Sequence, residues 1–459
     1  MVDQARAGEI FQRIKKFASV QEVETIFSST DFSLTRFANN TIHQNVSELN
    51  EQVSIRVALD GKTARATTNR FDDDSLKRAV QAAESMARVQ DPDPDRLPMA
   101  EASAASGSAG PSRWFDETAA ITPGDRADAV GEIVGVAKKN LLITAGIYSS
   151  AQHQEGIFNS NGLSAWHRQT SSEVSITMLA DDSSGWQKAN FPDVRQLQPV
   201  ELAEIAAKKA RDSQKPQELA PGKYTVILEA AAVLDAVGFM FMDFGGLAIL
   251  DQRSFLNNRI GTKLFGENIT VVDDVDYRLQ TNSPFDGEGV RRKRVNLVEN
   301  GVVKNLVYSR STAEKMKNSE FADKVGEIAV TGHGFPLPNE IGEAPMNIVF
   351  LTSGGEQTVD QMIAATERGI LVTRLWYIRE VDPYEKILTG MTRDGTFLVE
   401  NGKLKCGIRN FRFNQSLIEM LTHVEALGRP VRASGEEAFD MVVPAMKVSG
   451  FNFTEVTRF

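Results

Sequence analysis

Two histidines one turn apart on a helix can hold zinc, and a nearby carboxylate can then take a proton from the metal-bound water. The chain has five histidines, His43, His153, His167, His333 and His423, and no two lie within seven residues of each other. No helix-borne pair of histidine ligands can therefore be read from it. The one cysteine, Cys406, sits in KLKCGIRN, which alternates like a strand, so an inert buried thiol fits better than a nucleophile. GxSxG, Walker and GxGxxG motifs are absent. Carboxylates remain. Asp235 is the lone acid in the middle of an apolar run, ILEAAAVLDAVGFMFMDF (227–244), and Gly238 follows three positions later. Asp273, Asp274 and Asp276 form one acidic cluster, and Asp286 and Glu288 in FDGEG form another. Such clusters can hold Ca²⁺ or Mg²⁺, but EF-hand spacing is missing, and exposed turns account for both. His333 lies between glycines in TGHG and reads as loop. Asp286, Glu288 and His333 are the candidates for substrate binding, or for a hydrolytic site placed away from the apolar helix.

The bulk numbers limit what these residues can serve. A length of 459 residues suggests two or three domains, and a net charge of −10 disfavours a surface built for phosphate backbones, although RRKR (291–294) is a local basic run. A single cysteine permits no internal disulfide and suits a reducing compartment. The N-terminus lacks an apolar signal core, and no run of 18 apolar residues exists, so we expect no membrane helix and a cytoplasmic protein.

The elements follow from periodicity. An amphipathic helix over 4–19 precedes strand-like VETIFSS, SLTRFA, TIHQNV and VSIRVAL. Asp60-Gly61 then turns the chain into KTARATT. A helix over 74–89, capped by Asp74 or Ser75, leads to a Pro-, Ala- and Ser-rich segment, 91–114, that reads as a surface loop. After a helix over 124–139 the pattern returns. Phe158 precedes Val174-Ser175-Ile176 by the interval at which Phe37 precedes Val53-Ser54-Ile55, and a helix over 199–213 follows. We read a duplicated strand–helix unit within one α/β domain, 1–215. From 222 to 459 the chain reads as mainly β with a few helices, one capped by Thr358 and ending at Gly369, another from Gln415 to Leu427. The fold class is α+β.

The order and spacing of ELAPGKYTVILE, RSFLNNRIGTKLFGENITVVDD, FDGEGVRRKRVNLVENGVVKNLVYSRSTAEKM, TGHGFPLP and DGTFLVENGKL resemble the TldD/PmbA family, also called modulator of DNA gyrase proteins. In its catalytic TldD type the helix after the VILE-like strand carries HExxxH, with two zinc-binding histidines and a glutamate base. That motif falls on Leu234-Asp235-Ala236-Val237-Gly238-Phe239, where both ligand positions, Leu234 and Phe239, are apolar. The family's third ligand, a cysteine, would fall in ASGEEAFDMVVP (433–444), which has none. The resemblance is therefore to the TldE/PmbA type, the non-catalytic partner. It implies no catalytic residue and no metal in this chain, with zinc expected only in a TldD-type partner. It also implies a cytosolic heterodimeric zinc protease acting on unfolded or short peptides; the charge balance and the lack of an apolar span add the expectation of no nucleic acid and no membrane as partners. A free-standing homodimer that binds peptides or serves as a scaffold, and a hydrolase with a relocated site, are the alternatives. Asp235 reads as a remnant of the zinc helix, or as a residue that pairs with an arginine or a backbone amide while Gly238 allows close packing. Residues five apart lie roughly 140° apart on an α-helix, so a shared site at 234 and 239 requires local distortion, which glycine eases.

Overall fold

The structure is a computed structural model and describes residues 1–107 and 110–457. Helix α1 (Gln4–Phe17) is capped by Asp3, which accepts the Arg6 amide at 2.8 Å. Strands β1 (Glu22–Ala38), β2 (Thr41–Leu59) and β3 (Lys62–Thr68) follow, then helix α2 (Asp73–Val89). After the short helix α3 (Asp116–Ala119) the order repeats as α4 (Pro123–Lys139), β4 (Ile143–Asn159), β5 (Ser164–Leu179), β6 (Ser184–Phe191) and α5 (Pro199–Asp212). The duplication is thus realised as two helix–three-strand–helix units. Their strands form one antiparallel sheet, β3-β2-β1-β4-β5-β6. Phe37 pairs with Gly146 and its counterpart Phe158 pairs with Thr25, as a pseudo-twofold axis through the Asp31–Gln152 pair demands.

Side chains alternate across a strand, so Val23, Phe27 and Phe37, all odd-numbered and buried, share one face of β1. The four long helices cover that face. Ile26, Ile157, Leu163 and Ala165 lie on the other and pack against Ala100 and Phe285. Three expectations are corrected here. The four short strands read before Asp60 are two long ones, because the polar stretches between them, such as SELNEQ, mark exposed sheet and not chain reversal. Asp72 caps α2, accepting the Ser75 amide at 2.9 Å, because it is the last extended residue before the turn. The 91–114 segment is not all surface loop: Met99, Ala100 and Arg113 are buried, and the Asn159 and Asn161 side chains hold the carbonyls of Ala100 and Met99.

The second half contains two sheets around a large apolar core. Strands β7 (Gly222–Leu228), β12 (Arg368–Asp382), β13 (Ile387–Glu400), β15 (Phe411–Ser416) and β19 (Met446–Val456) close into a ring, because β12 pairs with both β7 and β13. Strands β14 (Lys403–Gly407) and β16 (Val424–Leu427) extend it. The second sheet runs in the order β10 (Val302–Val303), β9 (Val295–Glu299), β8 (Thr270–Asp273), β11 (Ile348–Leu351), β18 (Met441–Val443), β17 (Val431–Ala433). Helices α6 (Ala230–Val237), α7 (Gly246–Leu250), α8 (Arg310–Lys317), α9 (Val359–Ala364) and α10 (Leu417–Thr422) complete it. The Asn300-Gly301 and Asn401-Gly402 turns have the positive φ angles that such hairpins require. Two helices are shorter than expected. The Thr358 capping box is present, but α9 stops at Ala364, and Gly369 already belongs to β12. Ser416 caps α10, which ends at Thr422, and Val424–Leu427 is a strand, because Val424 is claimed by β19 through its pairing with Val448. Among the described residues no helix is long and apolar enough to cross a membrane.

Candidate functional site

Helix α6 lies between the ring strands β7 and β12 on one side and β17 and β18 on the other. Seven apolar residues out of eight favour burial on every side, and Leu234 and Asp235 are both fully enclosed. At Gly238 the α-helix ends and a 3₁₀ segment, Gly238–Phe244, begins. This is the local distortion that the spacing of 234 and 239 called for. Phe239, on the 3₁₀ segment, is half-buried against the core. Lys386 anchors that segment: its ammonium lies 2.6 Å from Asp243, 2.7 Å from Glu380 and 3.3 Å from the Phe239 carbonyl.

The segment between β17 and β18 folds directly onto this helix. Asp235 Oδ1 accepts the backbone amides of Glu436 and Glu437 at 3.2 and 3.1 Å, while Oδ2 is enclosed without a partner. Burial pushes the Asp235 carboxyl up to about 7 against the opposing pull of those two amides. A side chain at Gly435 would overlap Asp235 Oδ1 and Leu234, and one at Gly238 would overlap the methyl of Ala438. The segment is cinched by Asp440, which accepts from Arg432 at 2.8 Å and from Ser434 at 2.6 Å. Strand β6 of the first half roofs it, with Lys188 donating to the Gly435 carbonyl at 3.0 Å. Gly238→Ala should cost about 1–3 kcal/mol, the range for overpacking a filled core, and a denaturant titration measures it. An unchanged midpoint would mean that helix and segment are not in contact.

The second candidate group is buried too, contrary to the expectation of exposed turns. Asp286 accepts three amides, from Glu288, Val290 and Gly334, at 2.8–2.9 Å, and is an organiser of its loop. Glu288 Oε1 accepts the Arg310 amide at 3.1 Å, and burial together with the adjacent Asp286 pushes its carboxyl up to about 7. A Cβ at position 334 would press on both carboxylates, so Gly334 is the residue that lets the loop approach them. His333, in the same loop, turns elsewhere: Nε2 lies 3.0 Å from Asp273 and Nδ1 3.0 Å from the Thr331 hydroxyl. Asp273 is fully buried. His333 and the Asn347 amide outweigh that burial and hold the Asp273 carboxyl below its usual range. The structure therefore brings Asp286 and Glu288 together but turns His333 away from them, towards Asp273 and Thr331. Of the acidic clusters only Asp276 is exposed, and it pairs with Arg291 of the basic run at 2.8 Å.

The sequence profile of the PmbA/TldA metallopeptidase C-terminal domain matches residues 221–455, with the family's domain 1 matching 23–87 and its central domain 69–214. The chain belongs to the PmbA/TldD metallopeptidase family. Metalloprotease PmbA of Escherichia coli O157:H7 is 20% identical over 412 residues, 87% of this chain and 85% of that protein. An uncharacterized protein of Methanocaldococcus jannaschii is 26% identical over 57% of this chain, a match that spans 61% of that relative. The crystal structure of TldE from Thermococcus kodakarensis superposes with a TM-score of 0.84 at 18% identity, covering 98% of this chain and 99% of that one. A Thermotoga maritima protein, described as a candidate modulator of a DNA gyrase, superposes with a TM-score of 0.84 at 20% identity, covering 98% and 100%.

A PmbA/TldD fold raises the question of whether zinc fits here. The motif positions offer two hydrocarbon side chains and one carboxylate whose Oδ1 is already spent on two amides. The 433–444 segment does meet the helix, as the family resemblance implied, but it brings Gly435 and Ala438 to the contact and no thiol. Among the described residues no three His, Cys, Asp or Glu side chains are grouped so as to hold a metal. These donors do not fit a zinc ion. Cys406 lies in β14 as its alternation suggested, half-buried, with burial raising its thiol. Sequence reasoning missed Lys188, Lys386 and the Arg432–Asp440 pair, since each acts across a separation of more than a hundred residues or as an ordinary loop charge.

Proposed function

We propose that this chain is a TldE/PmbA-like subunit of a cytosolic zinc metalloprotease complex, with a TldD-type chain supplying the metal and unfolded or short peptides as substrates. One observation carries the reading. The helix that would bear the zinc motif has apolar side chains at both ligand positions, and the segment facing it fills the place of a metal with backbone amides and small residues. A carboxylate without a metal cannot make hydroxide at neutral pH, so cleavage requires chemistry from another chain. Asp235 then has a structural task, holding the 435–438 segment closed.

The test is co-expression with the TldD-type protein of the same organism, followed by zinc analysis and a peptide-cleavage assay on each chain alone and on the mixture. The expected result is a stable complex in which zinc and cleavage accompany the partner, with neither present in this chain alone. Stoichiometric zinc or partner-independent cleavage from this chain would overturn the reading. A stable homodimer that ignores the TldD-type chain would replace it with the free-standing peptide-binding protein.

A further inference from the structure

Strand β2 is much longer than the strand beside it. It runs from Thr41 to Leu59, whereas β3 pairs only with Val53–Leu59, so residues 41–52 form a free edge of the first sheet. The two-residue turn at Asp60-Gly61 makes Leu59 and Lys62 a hydrogen-bonded pair. Alternation along the strand then aims the backbone groups of odd-numbered residues at the β3 side and those of even-numbered residues at β1. Past the end of β3, the amides and carbonyls of Asn45, Ser47 and Leu49 therefore point out of the sheet, and none has a backbone partner among the described residues. All three residues are exposed.

Sheet edges are commonly guarded by lysine, proline or a bulge, since a bare edge templates another strand. TIHQNVSELNEQ (41–52) holds no lysine, arginine, proline or glycine. The one irregularity in the β1–β2 pairing, between Arg36 and Phe37, falls outside the 45–49 stretch. The duplication shows how the same edge is treated in the other unit. Thr170 of β5 is the counterpart of Leu49, as Phe158 is of Phe37. Its amide donates to the Arg113 carbonyl at 3.0 Å, and Arg168, the counterpart of Ser47, lies over the Trp114 ring at 4.7 Å. The chain's own connecting segment between the units thus lies along the β5 edge, and no described segment does so at β2.

We propose that the β2 edge pairs antiparallel with the β2 edge of a second copy of this chain, joining two six-stranded sheets into one. The twofold axis lies at Ser47. That register faces Ser47 with its twin and Asn45 with Leu49, and it engages every outward group of these residues in about six inter-chain hydrogen bonds. It sets Val46 against Glu48 and Gln44 against Asn50, so no acid stands opposite an acid. An axis at Glu48 would put that carboxylate against itself. Strand β2 lies on the other side of the sheet from β6, which roofs the 435–438 segment. The inference needs neither zinc nor a TldD-type chain and stands apart from the protease reading.

Sedimentation velocity of the full chain tests it. A seam this short is at the small end of specific interfaces, so dimers with a Kd of about 10 µM are expected. Ser47→Lys sets two ammonium groups face to face at the axis and should raise the Kd about tenfold or more, as should Ser47→Asp with two carboxylates. An equimolar mixture of the two variants should regain dimers. Ser47 is exposed, so both variants should keep the thermal midpoint. In a Cys406→Ser background, Ser47→Cys should give a disulfide-linked dimer on mild oxidation, because a hydrogen-bonded antiparallel pair holds its Cα atoms about 5.5 Å apart. Ser33→Cys, one strand inward from Ser47, should not. Dimers as tight with Ser47→Lys as without it, or equal cross-linking from positions 33 and 47, would each overturn the proposal. A chain that stays monomeric up to about 200 µM would overturn it too, and would leave the edge to a strand of another protein.

Discussion

Replacing Asp235 by asparagine should stabilise the protein at pH 8 by about 2–4 kcal/mol and change it little at pH 4. The carboxyl is pushed up to about 7 in the folded chain, chiefly by burial. In the unfolded chain it returns to an ordinary value near 4. A folded pKa above the unfolded one gives stability that is fully present below about pH 4. That stability is lost progressively as pH rises towards 7 and stays lost above it. Three pH units correspond to about 4 kcal/mol, which is the upper bound for the charge penalty. Asparagine keeps an oxygen for the Glu436 and Glu437 amides and carries no charge, so the gain should appear only where the wild-type carboxyl is ionised. Urea titrations of both chains at pH 4, 6 and 8 measure this. A difference independent of pH, or an asparagine chain weaker at pH 8, would mean that Asp235 is ionised in a favourable site and has a task beyond closing the segment.

Restoring the family's ligand types should fail in an informative way. Leu234→His combined with Phe239→His is expected to cost about 3–5 kcal/mol and to recruit no stoichiometric zinc. Leu234 is fully buried beneath Gly435, so the change removes core volume and buries an imidazole with no prepared partner. Position 239 is half-buried on the 3₁₀ segment, and no thiol faces either site. Zinc analysis of the purified chain and a guanidinium titration with and without zinc check both parts. One zinc per chain with stability retained would show that only two side chains separate this chain from a metal-binding one, and that the 435–438 segment opens readily.

The legibility of this protein follows a physical division. Local instructions were readable: Asp60-Gly61, Asn300-Gly301 and Asn401-Gly402 turn the chain because positive φ is needed there. The capping box at Thr358 and the break at Gly238 act within a few residues. The duplication showed through Phe37 and Phe158 because a buried aromatic at a repeated register cannot be replaced freely. Competition for pairing partners was not readable. Val424–Leu427 has a helix-like pattern, but β19 offers it a strand partner, and no local feature records that offer. Buried acids were misjudged for the same reason. Asp273, Asp286 and Glu288 look like turn residues in sequence, and only the arrival of Asn347, Gly334 and Arg310 from 22 or more positions away makes their burial tolerable. At the zinc-motif helix the residue types spoke for themselves, since two hydrocarbons cannot ligate a cation, whereas the amides that satisfy Asp235 lie two hundred positions away in the chain.

The paired phenylalanines also bear on how the first half must fold. Phe158, from the second unit, is buried in the core beneath α1 and α2 of the first. Phe37, from the first unit, is buried beneath α4 and α5 of the second. Each unit donates its phenylalanine to the other, so neither core is complete until both units exist. A ribosome that has released only the first unit has made two helices and a three-stranded meander, but not yet the surface that would lock them. Completing this half has to join β1 to β4 across more than a hundred residues, a long-range closure of the kind that slows folding. A cut in the connecting segment before folding should then yield two incomplete pieces, not two small stable proteins.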